Sequence, residues 1–354
     1  MLNAILGFIA AFLCTWIAIP VIIRVAQEKQ LFDEPDGRKQ HRSVIPTLGG
    51  LGIYGGIMLG LLLFIDPTAF PELQYLLAAM LLIFFLGMKD DILIISATKK
   101  FMGQLVAACI LIFFAKIRIN DFHGMFGLHE LPEWISILFS LVTMITIINS
   151  YNLIDGIDGL AGGLGILSSL TFGLYFLICK EWSYALLCLS ITGSLLGFLF
   201  FNFPKARIFM GDTGSLILGL LLSIIVIKFI KLGTLPGSAM PLPAAPAIGF
   251  SILMIPLFDT IRVFTFRILQ GTSPFKADRK HIHHLLLDAG LSSKKITTIC
   301  ILINLLFIGL AYAIKDMEIT LSFVSLFLLG ALLTSLAYFL KAKKVDSSHS
   351  TATT

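Results

Sequence analysis

Long apolar runs broken by short polar stretches pattern this chain from end to end. A hydrocarbon core about 30 Å thick is crossed by roughly 20 apolar residues in helical form, and eleven runs approach that length: about 2–23, 44–65, 73–88, 101–117, 134–154, 160–179, 183–203, 213–230, 244–266, 296–314 and 319–340. The pattern predicts an all-α polytopic membrane protein with about 11 transmembrane helices. Residues 1–344 form one integral-membrane domain, and the polar stretch 345–354 is expected to be a disordered tail. The first run has no charge over Leu2 to Ile23 and no small-residue cleavage site after it, so it is read as a retained span and not as a signal peptide.

Composition agrees. The chain has 354 residues, 57% of them hydrophobic and 13% charged, with mean hydropathy +0.94. A soluble domain carries about 25% charged residues. A lipid bilayer is therefore the expected surroundings, and no nucleic-acid partner is expected. The five cysteines (Cys14, Cys109, Cys179, Cys188, Cys300) lie in or beside apolar runs at spacings that suit neither zinc nor a disulfide framework.

Charge sets the orientation. With the N-terminus outside, all 26 Lys and Arg fall on inner segments except Lys116, Arg118, Lys180, Lys228, Lys231 and Lys315. The expected topology has the N-terminus outside and the C-terminus in the cytoplasm. The same orientation gathers the polar motifs on the inner side.

The central motif is Asn149-Ser-Tyr-Asn152-Leu-Ile-Asp155-Gly-Ile-Asp158-Gly-Leu160, at the junction of two apolar runs. Oxygen-bearing side chains three apart lie along one stripe of a helical turn, and such groups at a membrane helix end suit a hard cation, a phosphate, or both. Asp90-Asp91 ends the third run, with Lys89, Lys99 and Lys100 nearby. Two adjacent carboxylates repel unless a cation relieves them. Phe209-Met-Gly-Asp212-Thr-Gly-Ser215 opens the eighth run, where free backbone amides favour phosphate and Asp212 either caps the helix or holds a bridging metal. Asp259 and Arg262, three apart, pair with each other or serve the site. Asp278-Arg279-Lys280-His281-Ile-His283-His284 does not match zinc spacing; beside two cations it reads as an anion-binding or proton-transfer loop. The loop from Asp33 to Arg42 is either a substrate edge or a basic inner loop.

Together, in order from about residue 30 to 290, these stretches resemble the polyprenyl-phosphate N-acetylhexosamine-1-phosphate transferases. The resemblance implies that a polyprenyl phosphate attacks the β-phosphate of a UDP-N-acetylhexosamine, giving polyprenyl-diphosphate-sugar and UMP. It also implies a Mg²⁺ cofactor, with Mn²⁺ as a substitute, and a bacterial inner membrane with the site facing the cytoplasm. By resemblance, Asp212 is the principal metal ligand with Asn152 beside it. Asp90 or Asp91 activates or positions the lipid phosphate, and Asp155 joins that cluster. Asp158 and Phe209 hold uracil. Arg279, His281, His283 and His284 contact diphosphate and sugar, His283 with a catalytic part. Lys99 reaches the lipid phosphate.

Two departures from the phospho-MurNAc-pentapeptide branch point to the UDP-GlcNAc-type branch, which acts on undecaprenyl phosphate in the first membrane step of cell-envelope polysaccharide synthesis; the precise hexosamine stays open, and the phospho-MurNAc-pentapeptide transferase reading is kept as an alternative. Ile282 interrupts the histidines, and Arg42-Ser-Val-Ile-Pro46 precedes Thr-Leu-Gly-Gly50. A transporter with a carboxylate relay, an aromatic prenyltransferase of the UbiA type, and a homodimeric assembly stay open, as does direct displacement against a covalent intermediate.

Overall fold

The computed structural model describes residues 1–30, 45–235, 237–272 and 281–351, with side chains to residue 335. Each apolar run becomes helix: α1 (Leu2–Glu28), α2 (Gly49–Phe64), α3 (Leu73–Ile92), α4 (Ala97–Cys109), α5 (Glu133–Ile154), α6 (Leu160–Ile178), α7 (Trp182–Asn202), α8 (Gly211–Gly233), α9 (Ala245–Ile252), α10 (Met254–Leu269), α11 (Ile282–Asp288), α12 (Ser293–Ala313) and α13 (Ile319–Thr351). Among the described residues there is no strand, only a single bridge between Asp121 and Glu130. The protein is an all-α, multi-pass membrane protein.

Among the described residues, seven helices are long and apolar enough to cross, and α9 with α10 makes an eighth if that bent pair is one span, against the eleven expected. The run expected at 44–65 yields only the 16-residue α2, about 24 Å at 1.5 Å per residue. The described apolar part of α13 is also short, Ile319–Ser335. Helical backbone continues to Thr351, over most of the stretch expected to be a disordered tail; Lys341-Ala-Lys-Lys344 are good helix formers and carry the turn onward.

The run expected as one span at 244–266 is broken by 86° between α9 and α10. Pro256 has no N–H to give the Ile252 carbonyl four residues back. Asn304 of α12 fills the gap: its Nδ2 donates to Ile252 O at 2.9 Å and its Oδ1 accepts from Ile255 N at 3.0 Å. Ser168 Oγ of α6 donates to the same carbonyl at 3.0 Å. In lipid such freed backbone groups must find partners inside the protein, and here two neighbouring helices supply them.

Helices α7 and α8 form the centre, 83% and 78% buried, whereas α1 is 22% buried. On α1 the small residues Ala4, Gly7, Ala11 and Thr15 face inward, and Ile5, Ile9, Leu13, Trp16 and Ile17 face outward. Small residues at helix contacts and bulky ones toward lipid is the membrane pattern. Close approach is real: a Cβ at Gly193 of α7 would stand 2.2 Å from Phe8 O of α1. Thr15 and Ser194 then join α1 to α7 across 2.8 Å.

The two ends of the bundle differ. One carries the ends of α3 and α5, the starts of α4 and α8, and the histidines of α11. The other holds a cavity of about 680 Å³ between the 118–131 loop, α5 and α8, where Arg118 pairs with Glu133 at 2.8 Å.

Candidate active site

Lys100 is the hub of the first end. Its Nζ donates to Asn152 Oδ1 at 3.2 Å, stands 3.1 Å from Asp90 Oδ2, and pairs with Asp212 Oδ2. Asn152 Nδ2 donates to Asp212 Oδ1 at 2.6 Å and to Ser215 Oγ at 3.0 Å. Side chains from three other helices, α3, α5 and α8, thus meet on one ammonium group. Ser96 caps α4, its Oγ accepting from Lys99 N at 3.5 Å, and so starts the helix that turns Lys100 inward. Lys99, expected to reach the lipid phosphate, is exposed; its neighbour Lys100 makes the cluster contacts.

The two adjacent carboxylates divide their contacts. Asp90 Oδ1 accepts from Ile95 N at 2.9 Å and its other oxygen faces Lys100. Asp91 turns to the start of α8, accepting from Asp212 N at 2.7 Å, Thr213 N at 3.0 Å and Thr213 Oγ1. A carboxylate from α3 thereby satisfies the free amides of another helix. Gly87 makes this possible: a Cβ there would stand 2.5 Å from Thr213 Cα. Gly211, at φ +70°, enters α8 in the left-handed region that glycine tolerates.

Asp155 follows the last turn of α5, half-buried. Burial, and then the charges of Asp212, Asp91 and Asp158, push its carboxyl up to about 8. Asp158, expected at uracil, accepts from Ala206 N through Oδ2 at 3.0 Å. Gly159, at φ +76°, donates its N–H to Asn202 Oδ1 at 2.7 Å, which fixes this loop on the end of α7. Phe209 is half-buried, and its backbone pairs with the segment before α2: its N–H donates to Pro46 O at 2.8 Å and its carbonyl accepts from Gly49 N at 3.0 Å.

The histidines are buried more deeply than an anion-contacting loop requires. His281 is 4% exposed; its Nδ1 lies 2.8 Å from Asp259 Oδ2, and Asp259 Oδ1 also accepts from Ile282 N and from Arg262. Asp259 therefore anchors the start of α11. His283 is 1% exposed, and its ring lies so close to Gly156 that a Cβ there would stand 2.2 Å from Nε2. It docks α11 onto the 155–159 loop. Burial, and then the charge of His284, hold its imidazole down near 3. A ring that stays neutral so far below pH 7 is a poor proton acceptor there, and the contact the structure shows for His283 is this docking one. His284 is half-buried beside it, with ring centroids 4.2 Å apart. Arg279 and the 31–44 loop lie outside the described residues.

That burial predicts a pH dependence. The unfolded imidazole titrates near 6.5, so between about 3 and 6.5 the unfolded chain binds the extra proton and stability rises with pH. The contribution is complete above 6.5 and is lost as pH falls toward 3. Melting of purified protein should therefore drop more steeply from pH 6.5 to 4.5 in wild type than in His283→Gln; equal slopes would contradict the buried neutral ring.

Among the described residues, no three His, Cys, Asp or Glu side chains stand close enough together to hold a metal by themselves. The cluster still fits Mg²⁺. That ion takes one or two carboxylates and completes its shell with phosphate oxygens and water, and here the Asp212 carboxylate and the Asn152 amide oxygen stand side by side on the Lys100 ammonium, oxygen donors of the kind it takes.

The site lies within the stretch that comparison with known proteins singles out. Residues 73–230 match the family model "Glycosyl transferase family 4", which takes in α3 to α8 and with them Asp90, Lys100, Asn152 and Asp212. A Bacillus subtilis protein named "Probable undecaprenyl-phosphate N-acetylglucosaminyl 1-phosphate transferase" is 34% identical over 332 residues, 93% of this chain and 90% of the relative. The Salmonella typhi undecaprenyl-phosphate alpha-N-acetylglucosaminyl 1-phosphate transferase is 31% identical over 83% of this chain and 79% of its own length. The Haemophilus influenzae protein of that name is 31% identical over 93% and 92%. With the similarity running over nearly the whole chain and its site residues at the matched helix ends, the protein belongs to glycosyl transferase family 4.

Proposed function

We propose that this protein transfers GlcNAc-1-phosphate from UDP-GlcNAc to undecaprenyl phosphate, releasing UMP, at the cytoplasmic face of a bacterial inner membrane. The observation that carries the reading is the meeting of Asp90, Asn152 and Asp212 on Lys100 at one end of the bundle. A lipid-borne acceptor and a soluble anionic donor can both reach such a site. A transporter relay would instead place its carboxylates near the middle of the spans. The names of the relatives support the same substrates, and the Lys and Arg asymmetry supports the cytoplasmic face.

In the reaction an oxygen of the lipid phosphate bonds to the sugar-bearing β-phosphorus. The bond from that phosphorus to the bridging oxygen breaks, and the bridging oxygen leaves with UMP. No proton is gained or lost overall. The difficulty is repulsion between two anions, so catalysis here is positioning and charge. Lys100 offers its ammonium to an incoming phosphate from between Asp90 and Asp212. Asp91 fixes the first turn of α8, which keeps Asp212 aimed at the cluster. The 155–159 loop, held by Asn202 and His283, presents Asp155 and Asp158 from the other side, and Phe209 offers a ring face to the uracil. Asp212 and Asn152 would hold Mg²⁺, which supplies neutralisation of phosphate charge when bound.

Purified protein given UDP-[¹⁴C]GlcNAc, polyprenyl phosphate and Mg²⁺ should yield label extractable into butanol and an equal amount of UMP. Folded protein that yields neither would end the proposal, and a faster rate with another UDP-hexosamine would replace the donor.

A further inference from the structure

We propose that Gln104 and Asn149 form an amide clamp that positions Lys100, and that the clamp acts on turnover only through that lysine. The functional part of this inference rests on the transferase reading above. Gln104 lies on α4 and is 1% exposed. Its carboxamide meets that of Asn149 on α5 in both directions: Asn149 Nδ2 donates to Gln104 Oε1 at 2.8 Å, and Gln104 Nε2 donates to Asn149 Oδ1 at 3.4 Å. Asn149 also gives Nδ2 to Ile145 O of its own helix at 2.8 Å, which fixes its rotamer. A two-point contact between flat amides sets both the height and the rotation of one helix against the other. An apolar pair would allow sliding.

The clamp stands one turn from the cluster on both helices. Lys100 is four residues before Gln104, and Asn152 is three after Asn149, so each pair shares a helix face. The next rung of the same ladder is Lys100 Nζ to Asn152 Oδ1 at 3.2 Å. The start of α4 is also held by the Ser96 cap and by Gly103, packed against Leu86 of α3; the amide pair is the contact that fixes it against α5 one turn from Lys100. Only 28% of the α4 span is buried, and beyond Cys109 it widens into a π-helical turn at Ile110–Phe114. Such a turn shifts the register between the two parts of the helix it joins, so packing at the far end does not transmit a fixed rotation to Lys100. A lysine stem is long and flexible, and the ammonium group lands between Asp90 and Asp212 only if its Cα is correctly placed. Displacement by about 1 Å can cost up to 10²-fold in rate.

Two readouts test the clamp. Gln104→Leu should lower kcat about 30-fold, leave KM for UDP-GlcNAc within about threefold, and lower the melting temperature only slightly, since Asn149 keeps Ile145 O as a partner while its Oδ1 loses a long contact. The exchanged pair Gln104→Asn with Asn149→Gln rebuilds a two-way amide contact and should recover most of kcat. In a Lys100→Met background, Gln104→Leu should cost nothing further. An equal loss with and without Lys100, or no recovery in the exchanged pair, would overturn the proposal. The second readout is independent of turnover: labelling of Lys100 by acetic anhydride, followed by mass spectrometry. Lys100, 16% exposed and engaged with Asp90 and Asp212, should label several-fold faster in Gln104→Leu and at the native rate in the exchanged pair. If wild type proves inert toward UDP-GlcNAc, the transferase reading fails while labelling still decides the clamp; unchanged labelling in Gln104→Leu removes the clamp whatever the donor.

Discussion

Asp212→Asn is expected to lower turnover by a thousandfold or more while the protein folds as before. The substitution keeps shape and leaves one carbonyl oxygen, but it removes the charge that Lys100 and Asn152 both engage. It also removes the carboxylate best placed to hold Mg²⁺ beside the transferred phosphate. Loss of one preorganised electrostatic partner typically costs about 10² to 10³ in kcat. Here one change weakens both the lysine's placement and the metal's, so the upper end applies, about 4 kcal/mol of barrier. Stability should change little, because the lost pairing with Lys100 is offset by relief of the repulsion that the Asp212 charge exerts on Asp91 and Asp155. The radiolabel assay and a melting curve on the same preparation check both halves. Turnover above a tenth of wild type would remove Asp212 from the centre of the mechanism.

How much of this site could be read from the sequence depends on what each residue answers to. Asn149, Asn152, Asp155 and Asp158 announced themselves as polar groups at a membrane helix end, but the stripe expected of all four holds only for Asn149 and Asn152, because α5 stops at Ile154 and the two aspartates follow in the turn to α6. The choice of Lys100 over Lys99 was legible in principle. Gln104 is a lone amide in an apolar run, and the residue four before it shares its face. The anchoring of His281 by Asp259 was not legible, because the partners are 22 residues apart on separate elements, α10 and the start of α11. Nor was the α9–α10 bend, although Pro256 is plain in the chain: hydropathy averages over a proline, and its consequence depends on Asn304 and Ser168 from other helices. Burial of His281 and His283 is likewise a tertiary outcome. A basic, histidine-rich stretch looks solvated until the loop it docks against is known.

Asp91 supplies the second large effect, and it differs in kind from that of its neighbour. Asp91→Ala should cost about 2 kcal/mol of stability as well as most of the activity. The carboxylate accepts from two backbone amides of α8 and from Thr213 Oγ1; loss of a cap costs about 0.5–2 kcal/mol, and each buried donor left unsatisfied about 1–3. Water reaching this partly exposed end offsets some of that. With its first turn released, Asp212 loses its aim, and rate falls with stability. Asp91→Asn keeps one acceptor oxygen and should restore a good part of both. Asp90 predicts the opposite split. Its outer oxygen faces Lys100 and its inner one holds a single loop amide, so Asp90→Asn should retain melting temperature while losing about 10² or more in kcat. Two adjacent, identical side chains would then separate cleanly, one by the stability it confers and one by the charge it presents. If Asp91→Asn melts like wild type and turns over as slowly as Asp90→Asn, Asp91 acts on the reacting groups directly, and the capping role drawn from its hydrogen bonds falls.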